Sequence, residues 1–348
     1  MQDMSNEKII DTSAIPYDFS AEKEDKTSPY TKTIEQSLRE KGITTKIDVS
    51  LFLGPHASED DMNNVENNLD TCDIFVPEMV NLDDDMIVAL EDVSYGRKTA
   101  EQVLNEYKDS VFEFPFASRL LCLLYNKKKV IAHVDLMAGD SLLQEMAEIF
   151  DHKKIMERAD PKVASDMLAD SMIKYAETQK RREAYIAGKL PEEVTRQFER
   201  HPELKQKEHV EILMFMGSVH GTLRDDLSYI ADNVKTELAD STLVYGFAHE
   251  IYKRSQYGKN ISESLKMNAL MERVLSYCEL PSSASSHDKW RFMRKAIFLF
   301  TEDEIKKVWK TTAGKTAKEI QIIISDIFSK KNIPIPTTEE EFDIFIGG

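Results

Sequence analysis

Residues 49–78, VSLFLGPHASEDDMNNVENNLDTCDIFVPE, carry the reading of the fold. An apolar run ends at Leu53 and is stopped by Gly54-Pro55. Ser58 can then cap a helix whose first turn is acidic, Glu59-Asp60-Asp61, and which runs to about Leu69. A second short apolar run, 73–78, closes on Pro77-Glu78. Strand, helix and strand within roughly 30 residues make a βαβ unit. Antiparallel strands can be joined by a tight turn, whereas a helical crossover joins parallel ones, so these two strands are expected to be parallel.

The same alternation continues downstream. A third strand is expected over 129–136, followed by Gly139-Asp140-Ser141 opening a helix to about Phe150. Helical patterns occupy 99–108 and 117–125. Residues 161–206 read as long charged helices broken at Gly188 and Pro191, because proline clashes with the preceding turn. A fourth strand covers 209–216 and stops at Gly217. A helix is expected over 222–238 and a fifth strand over 241–247. Further helical segments, among them 262–278 and 287–300, reach Lys330. Strands alternating with helices predict an α/β fold, a mostly parallel β-sheet flanked by helices, with a C-terminal helical extension. The expected divisions are an acidic, loosely ordered arm (1–45, with one short helix over 31–41), an α/β domain (46–247), the helical extension (248–333) and an acidic tail (334–348). Residues 1 to about 40 are expected to be dispensable for folding.

Of the 348 residues, 41% are hydrophobic and 31% charged, enough to bury an ordinary core. The formal charge of −17 argues against nucleic acid and anionic membranes as partners, since both are held by clustered Lys and Arg. Cys72, Cys122 and Cys278 form no CxxC pair and no disulfide framework, which suits a reducing compartment. The first residues lack the basic and apolar regions of a secretory signal, and apolar windows stop near ten residues, about half a membrane span. A cytoplasmic protein is expected.

In open parallel sheets, ligands bind beyond the carboxyl ends of the strands. His56 follows the first strand, Glu78 the second and His220 the fourth; Asp135 lies in the third, and His249-Glu250 lie a few residues past the fifth. Imidazoles and carboxylates gathered at one edge suit either a divalent metal or general acid/base work. Asp135 can equally serve as a cap or as the partner of an arginine.

The 49–78 stretch resembles the opening of the TraB/PrgY/Tiki-like families of the erythromycin-esterase/ChaN-like superfamily, with Gly54, His56, Ser58 and Glu78 in the motif places. KRREAYIA, 180–187, resembles the arginine-bearing helix of these families, with Arg182 at the arginine position. ILMFMGSVHG, 212–221, resembles their second glycine-histidine corner. The first corner, Gly-Pro-His, is one residue shorter than the family pattern, and no arginine follows Asp135. The resemblance implies a hydrolase acting on a peptide or ester bond, with a peptide, ester or protein as substrate. His56, Glu78, Arg182 and His220 would be its catalytic residues. His56, Glu78 and His220 would hold a divalent metal (Mn, Co or Zn), or one imidazole would act as base without metal. A catalytically degenerate member serving as a protein-binding or regulatory module is the alternative.

Other motifs fail on spacing. Ala313-Gly314-Lys315-Thr316 lacks the first glycine of a phosphate loop, and His249-Glu250 lacks the second histidine of a zincin helix, where Lys253 stands.

Overall fold

The computed structural model describes residues 28–54, 59–149, 152–238, 245–281 and 286–347. Five strands, β1 (Lys46–Gly54), β2 (Ile74–Pro77), β3 (Val130–Ile131), β4 (His209–Gly217) and β5 (Asn233–Leu238), form one sheet in the order β3-β2-β4-β1-β5. Every pairing is parallel. The chain is therefore α/β, as the alternation of segments implies. β1 and β2 are parallel but not neighbours, because β4 inserts between them.

Apolar side chains point to both sheet faces, as parallel strands covered on two sides require. On one face Val49, Leu51, Leu53, Ile212, Met214 and Met216 pack under helices α1 (Ile34–Glu40), α8 (Pro161–Arg200) and α9 (Leu223–Leu227). On the other, Phe52, Phe75, Leu213 and Phe215 meet α2 (Glu59–Leu69), α3 (Asp84–Ser94), α4 (Ala100–Glu106) and α5 (Pro115–Leu124). Two shorter helices, α6 (Ser141–Ile149) and α7 (His152–Met156), lead into α8. The extension comprises α10 (Phe247–Gln256), α11 (Glu263–Leu275), α12 (Ser286–Phe298), α13 (Glu302–Thr312), α14 (Ala317–Lys331) and α15 (Glu339–Gly347).

Several expectations are corrected. The helix α8 runs unbroken through Gly188 and Pro191 for 40 residues. A proline inside a helix costs about 3 kcal/mol, yet Ile186, Ala187, Leu190, Val194 and Phe198 on its two sides are fully buried against the sheet. Packing on both sides of the proline outweighs the local preference. α8 also joins two cores, because Ala164, Leu168, Ala169, Met172 and Ala176 in its first half pack with the extension. A strand lies at Asn233–Leu238, inside the helix expected over 222–238, which shrinks to Leu223–Leu227. Of the strand expected over 241–247, residues 241–244 lie outside the described residues, and α10 begins at Phe247. Val234 and Leu238 of β5 pack on the core; their spacing of four fits a helix as well as a strand, so the local pattern does not decide between them. β3 keeps only two residues of strand. The tail ends in the helix α15, with Phe342 buried in the extension core.

The short helix of the N-terminal arm is also part of the core. Thr33 caps α1 in a capping box with Gln36, Ile34 and Leu38 are fully buried, and the Ile34 N–H donates to Ile230 O at 2.8 Å. Burying two such side chains stabilises the fold by roughly 1.5–3 kcal/mol each, so a truncation that removes α1 is not neutral.

Candidate functional site

Register places the two glycine corners side by side. β1 and β4 pair from Lys46↔His209 to Gly54↔Gly217, and the Ser218 N–H donates to Gly54 O at 2.8 Å. β2 lies on the other side of β4, and the Glu78 N–H reaches Phe215 O at 2.9 Å. The carboxyl ends of the three central strands therefore open onto one place.

Glu78 is its centre. One carboxylate oxygen accepts the Gly217 backbone N–H, so the second corner itself holds the side chain. The other oxygen meets Arg182 Nη2 at 2.9 Å and His220 Nε2 at 3.0 Å. Arg182 comes from α8 and grips Asp135 with two bonds, Nε at 2.8 Å and Nη2 at 2.5 Å. Asp135 Oδ1 also accepts the N–H of Leu136. Asp135 is thus the arginine's partner. Its fork leaves Nη1 outside these bonds.

The chain also brings Glu183 here, the residue after Arg182, which sequence reasoning did not single out. Its carboxylate stands 3.3 Å from His220 Nδ1, an ion contact rather than an aligned hydrogen bond, and accepts the Thr222 hydroxyl. The available signal was its position: adjacent residues on a helix that crosses a sheet edge can both reach it when the helix is buried. His220 and Glu183 are fully buried, and Glu78 is the cluster member with most access to solvent, at 14%.

Burial works against charge on His220. The carboxylate of Glu78 and the contact with Glu183 work for it, Arg182 opposes it, and the balance raises the imidazole to about 9. For Arg182, burial opposes the charge, and Asp135 and Glu78 outweigh it, so its pKa lies above the ordinary value. The arrangement is a set of buried charges in mutual contact, hydrogen-bonded through Glu78, Arg182 and Asp135, with Glu183 Oε1 and His220 Nδ1 in ion contact only.

His56 lies outside the described residues, as does Ser58. For the rest of the expected metal set, Glu78 and His220, the donor chemistry does not fit a divalent ion as it stands. The guanidinium of Arg182 sits on the same Glu78 oxygen as His220, and the other Glu78 oxygen accepts the Gly217 N–H, so both carboxylate oxygens are engaged within the protein. Glu250, whose side chain pairs with Arg254 and Arg294, stands apart. A separate cleft lined by Ser50, Asn68, Cys72, Glu211 and Lys235 lies over the middle of β1, and none of the sheet-edge cluster lines it. There the Ser50 hydroxyl is taken by Glu211, and burial pushes the Cys72 thiol up to about 12. No described helix is long and apolar enough to cross a membrane.

No family model, curated protein or solved structure matches the chain.

Proposed function

We propose that the chain is a TraB-like hydrolase that cleaves a peptide or ester bond at the carboxyl edge of its sheet. The observation that carries the reading is the meeting of Glu78, Arg182 and His220, three residues from separate segments, with Arg182 and His220 both within hydrogen-bond reach of one Glu78 oxygen. His220 holds a proton on Nε2 and would give it to the leaving group, a general-acid role. Glu78, the member nearest solvent, would accept a proton from the attacking water. Arg182 would offer Nη1 to the developing oxyanion, its planar fork held in place by Asp135. No step is routed through a metal.

A second reading, a protein-binding or regulatory module, is favoured by the closure of the network, in which Asp135, Glu183 and His220 expose no side-chain surface. The two separate on one assay. Purified protein is offered a panel of chromogenic esters and peptides, with chelator and then with Mn²⁺, Co²⁺ or Zn²⁺ added, beside Glu78→Gln and His220→Gln. Turnover in chelator, lost in both variants, supports the hydrolase. Turnover that needs an added ion would replace the metal-free route, and none under any condition would leave the binding module.

A further inference from the structure

We infer that Glu183 is a positioning residue that fixes the ring of His220 and so aims Nε2 at Glu78. The role rests on the reading of His220 as the proton donor of a hydrolytic site.

An imidazole on a single hydrogen bond can turn about its Cβ–Cγ bond and present either nitrogen. His220 is held from both sides: Nε2 lies 3.0 Å from Glu78 and Nδ1 3.3 Å from Glu183. A ring nitrogen that bears a proton is attracted by a carboxylate oxygen and one that bears a lone pair is repelled, so the 3.3 Å ion contact favours a proton on Nδ1 without an aligned hydrogen bond. Glu183 therefore favours the ring orientation that turns Nδ1 toward α8 and Nε2 toward Glu78, as an acid behind a catalytic histidine does on unrelated folds.

Glu183 is itself fixed. It projects from α8 with its side chain fully buried, and its second oxygen takes the Thr222 hydroxyl, two residues beyond His220. The turn that carries His220 is closed by its N–H on Gly217 O at 2.9 Å, so Thr222 and His220 move with the same corner. α8 thereby supplies two adjacent residues with divided tasks, Arg182 on Glu78 and Asp135, and Glu183 on His220 and Thr222. The charged groups facing the ring are Glu78 from the end of β2 and Arg182 and Glu183 from α8. Behind Glu183 stands Asp226 of α9, which burial and then the charge of Glu183 push up to about 6.

The test uses full-length protein at fixed neutral pH, with ring ¹⁵N–¹H correlations of His220 recorded for wild type, Glu183→Gln, Glu183→Asp and Thr222→Val. In wild type the Nδ1–H proton is expected downfield and slow to exchange. Glu183→Gln should lose that signal while keeping the Nε2 contact only in part; Glu183→Asp should restore it in part, and Thr222→Val should weaken it. On any ester or peptide the wild type turns over, kcat should fall about 10²–10⁴-fold in Glu183→Gln with KM little changed, the scale of losing a proton-transfer partner. A folded Glu183→Gln protein that keeps both the signal and the turnover would overturn the inference. Where that variant does not fold, an unchanged signal in Thr222→Val does so. A wild type without turnover defeats the hydrolase reading alone, and the proton signal then decides for Glu183.

Discussion

His220 and His249 both place a ring nitrogen out of reach of solvent, and their acidities move in opposite directions. At the sheet edge, His220 lies between Glu78 and Glu183 and rises to about 9. On α10, His249 stacks on Tyr245 with ring centroids 4.1 Å apart, its Nε2 has no hydrogen-bond partner among the described residues, and burial first, then the charge of Lys253, lowers it to about 3. The neighbouring basic group follows the same logic, since burial lowers Lys253 to about 7, with its ammonium 3.9 Å above the Tyr245 ring. Burial alone disfavours charge; burial beside placed carboxylates favours it. The sheet edge is thus built to keep charges, and the α10 cluster to suppress them.

The largest expected effect comes from removing the charge on which the sheet-edge cluster depends. Arg182→Met strands Asp135 and Glu78, and removing one partner of a buried pair costs about 3–5 kcal/mol. Urea unfolding at pH 7 measures it. Glu272→Gln, in the extension, should leave stability unchanged or raise it above pH 7. Burial pushes that carboxyl up to about 7 although it accepts the Phe247 backbone N–H at the start of α10. Equal losses in the two variants would erase the distinction between the regions. Leu38→Ala gives an apolar control: a fully buried leucine in α1 should cost about 2–5 kcal/mol and do so at every pH.

The dependence on pH then separates the histidines by sign. A folded-state value raised from 6.5 to about 9 means that the native protein keeps a proton the unfolded chain has released. The stabilisation from His220 is therefore complete below pH 6.5 and lost as pH rises through 9. The amount is on the order of 3 kcal/mol. For His249 the folded value lies below the unfolded one, so its contribution is present above pH 6.5 and lost as pH falls toward 3. This loss should be smaller because the ring keeps some solvent contact. Stability measured from pH 4 to 10 for His220→Gln and His249→Gln, each subtracted from wild type, isolates the two terms from other titrating groups. A His220 difference curve that is flat from pH 6.5 to 9 would show that the carboxylates do not hold its proton.

Much of this arrangement was legible in the sequence, for physical reasons that differ from place to place. Gly54 and Gly217 mark strand ends because the apolar runs before them stop there, and a parallel sheet aligns such ends; the meeting of Glu78 with His220 follows. Arg182 was reachable only through the family-like pattern on its helix, since nothing local tells a buried arginine from a solvated one. Glu183 was hidden by the same ambiguity. The unbroken α8 was misread because proline is a local signal, while the burial of Ile186, Leu190, Val194 and Phe198 depends on where the sheet lies. The fifth strand was missed because Asn233–Leu238 is mostly polar and sits at an edge, where alternation is weak.

The smallest expected effect tests whether the two regions act on each other at all. Tyr252 of α10 donates its hydroxyl to Val219 O at 2.6 Å, and Gln256 Nε2 donates to the same carbonyl at 3.2 Å. Val219 is the residue before His220, so the extension holds the corner that carries the histidine. Tyr252→Phe keeps the buried ring and its packing on Tyr175, with ring centroids 5.4 Å apart. It removes two hydrogen bonds, the one to Val219 O and the one the hydroxyl accepts from Gln256 Nε2 at 2.6 Å, while Gln256 still reaches Val219 O. The expected loss is about 0.5–1.5 kcal/mol for each hydrogen bond, seen as a lower urea midpoint with an unchanged slope. If the extension only rests against the sheet domain, the ring signals of His220 will stay where they are in this variant. If it braces the corner, they will shift although the substitution lies outside the charged cluster, and adding Gln256→Ala will shift them further. The second outcome would make the α10 region, with its charges suppressed, the support on which the charged edge depends.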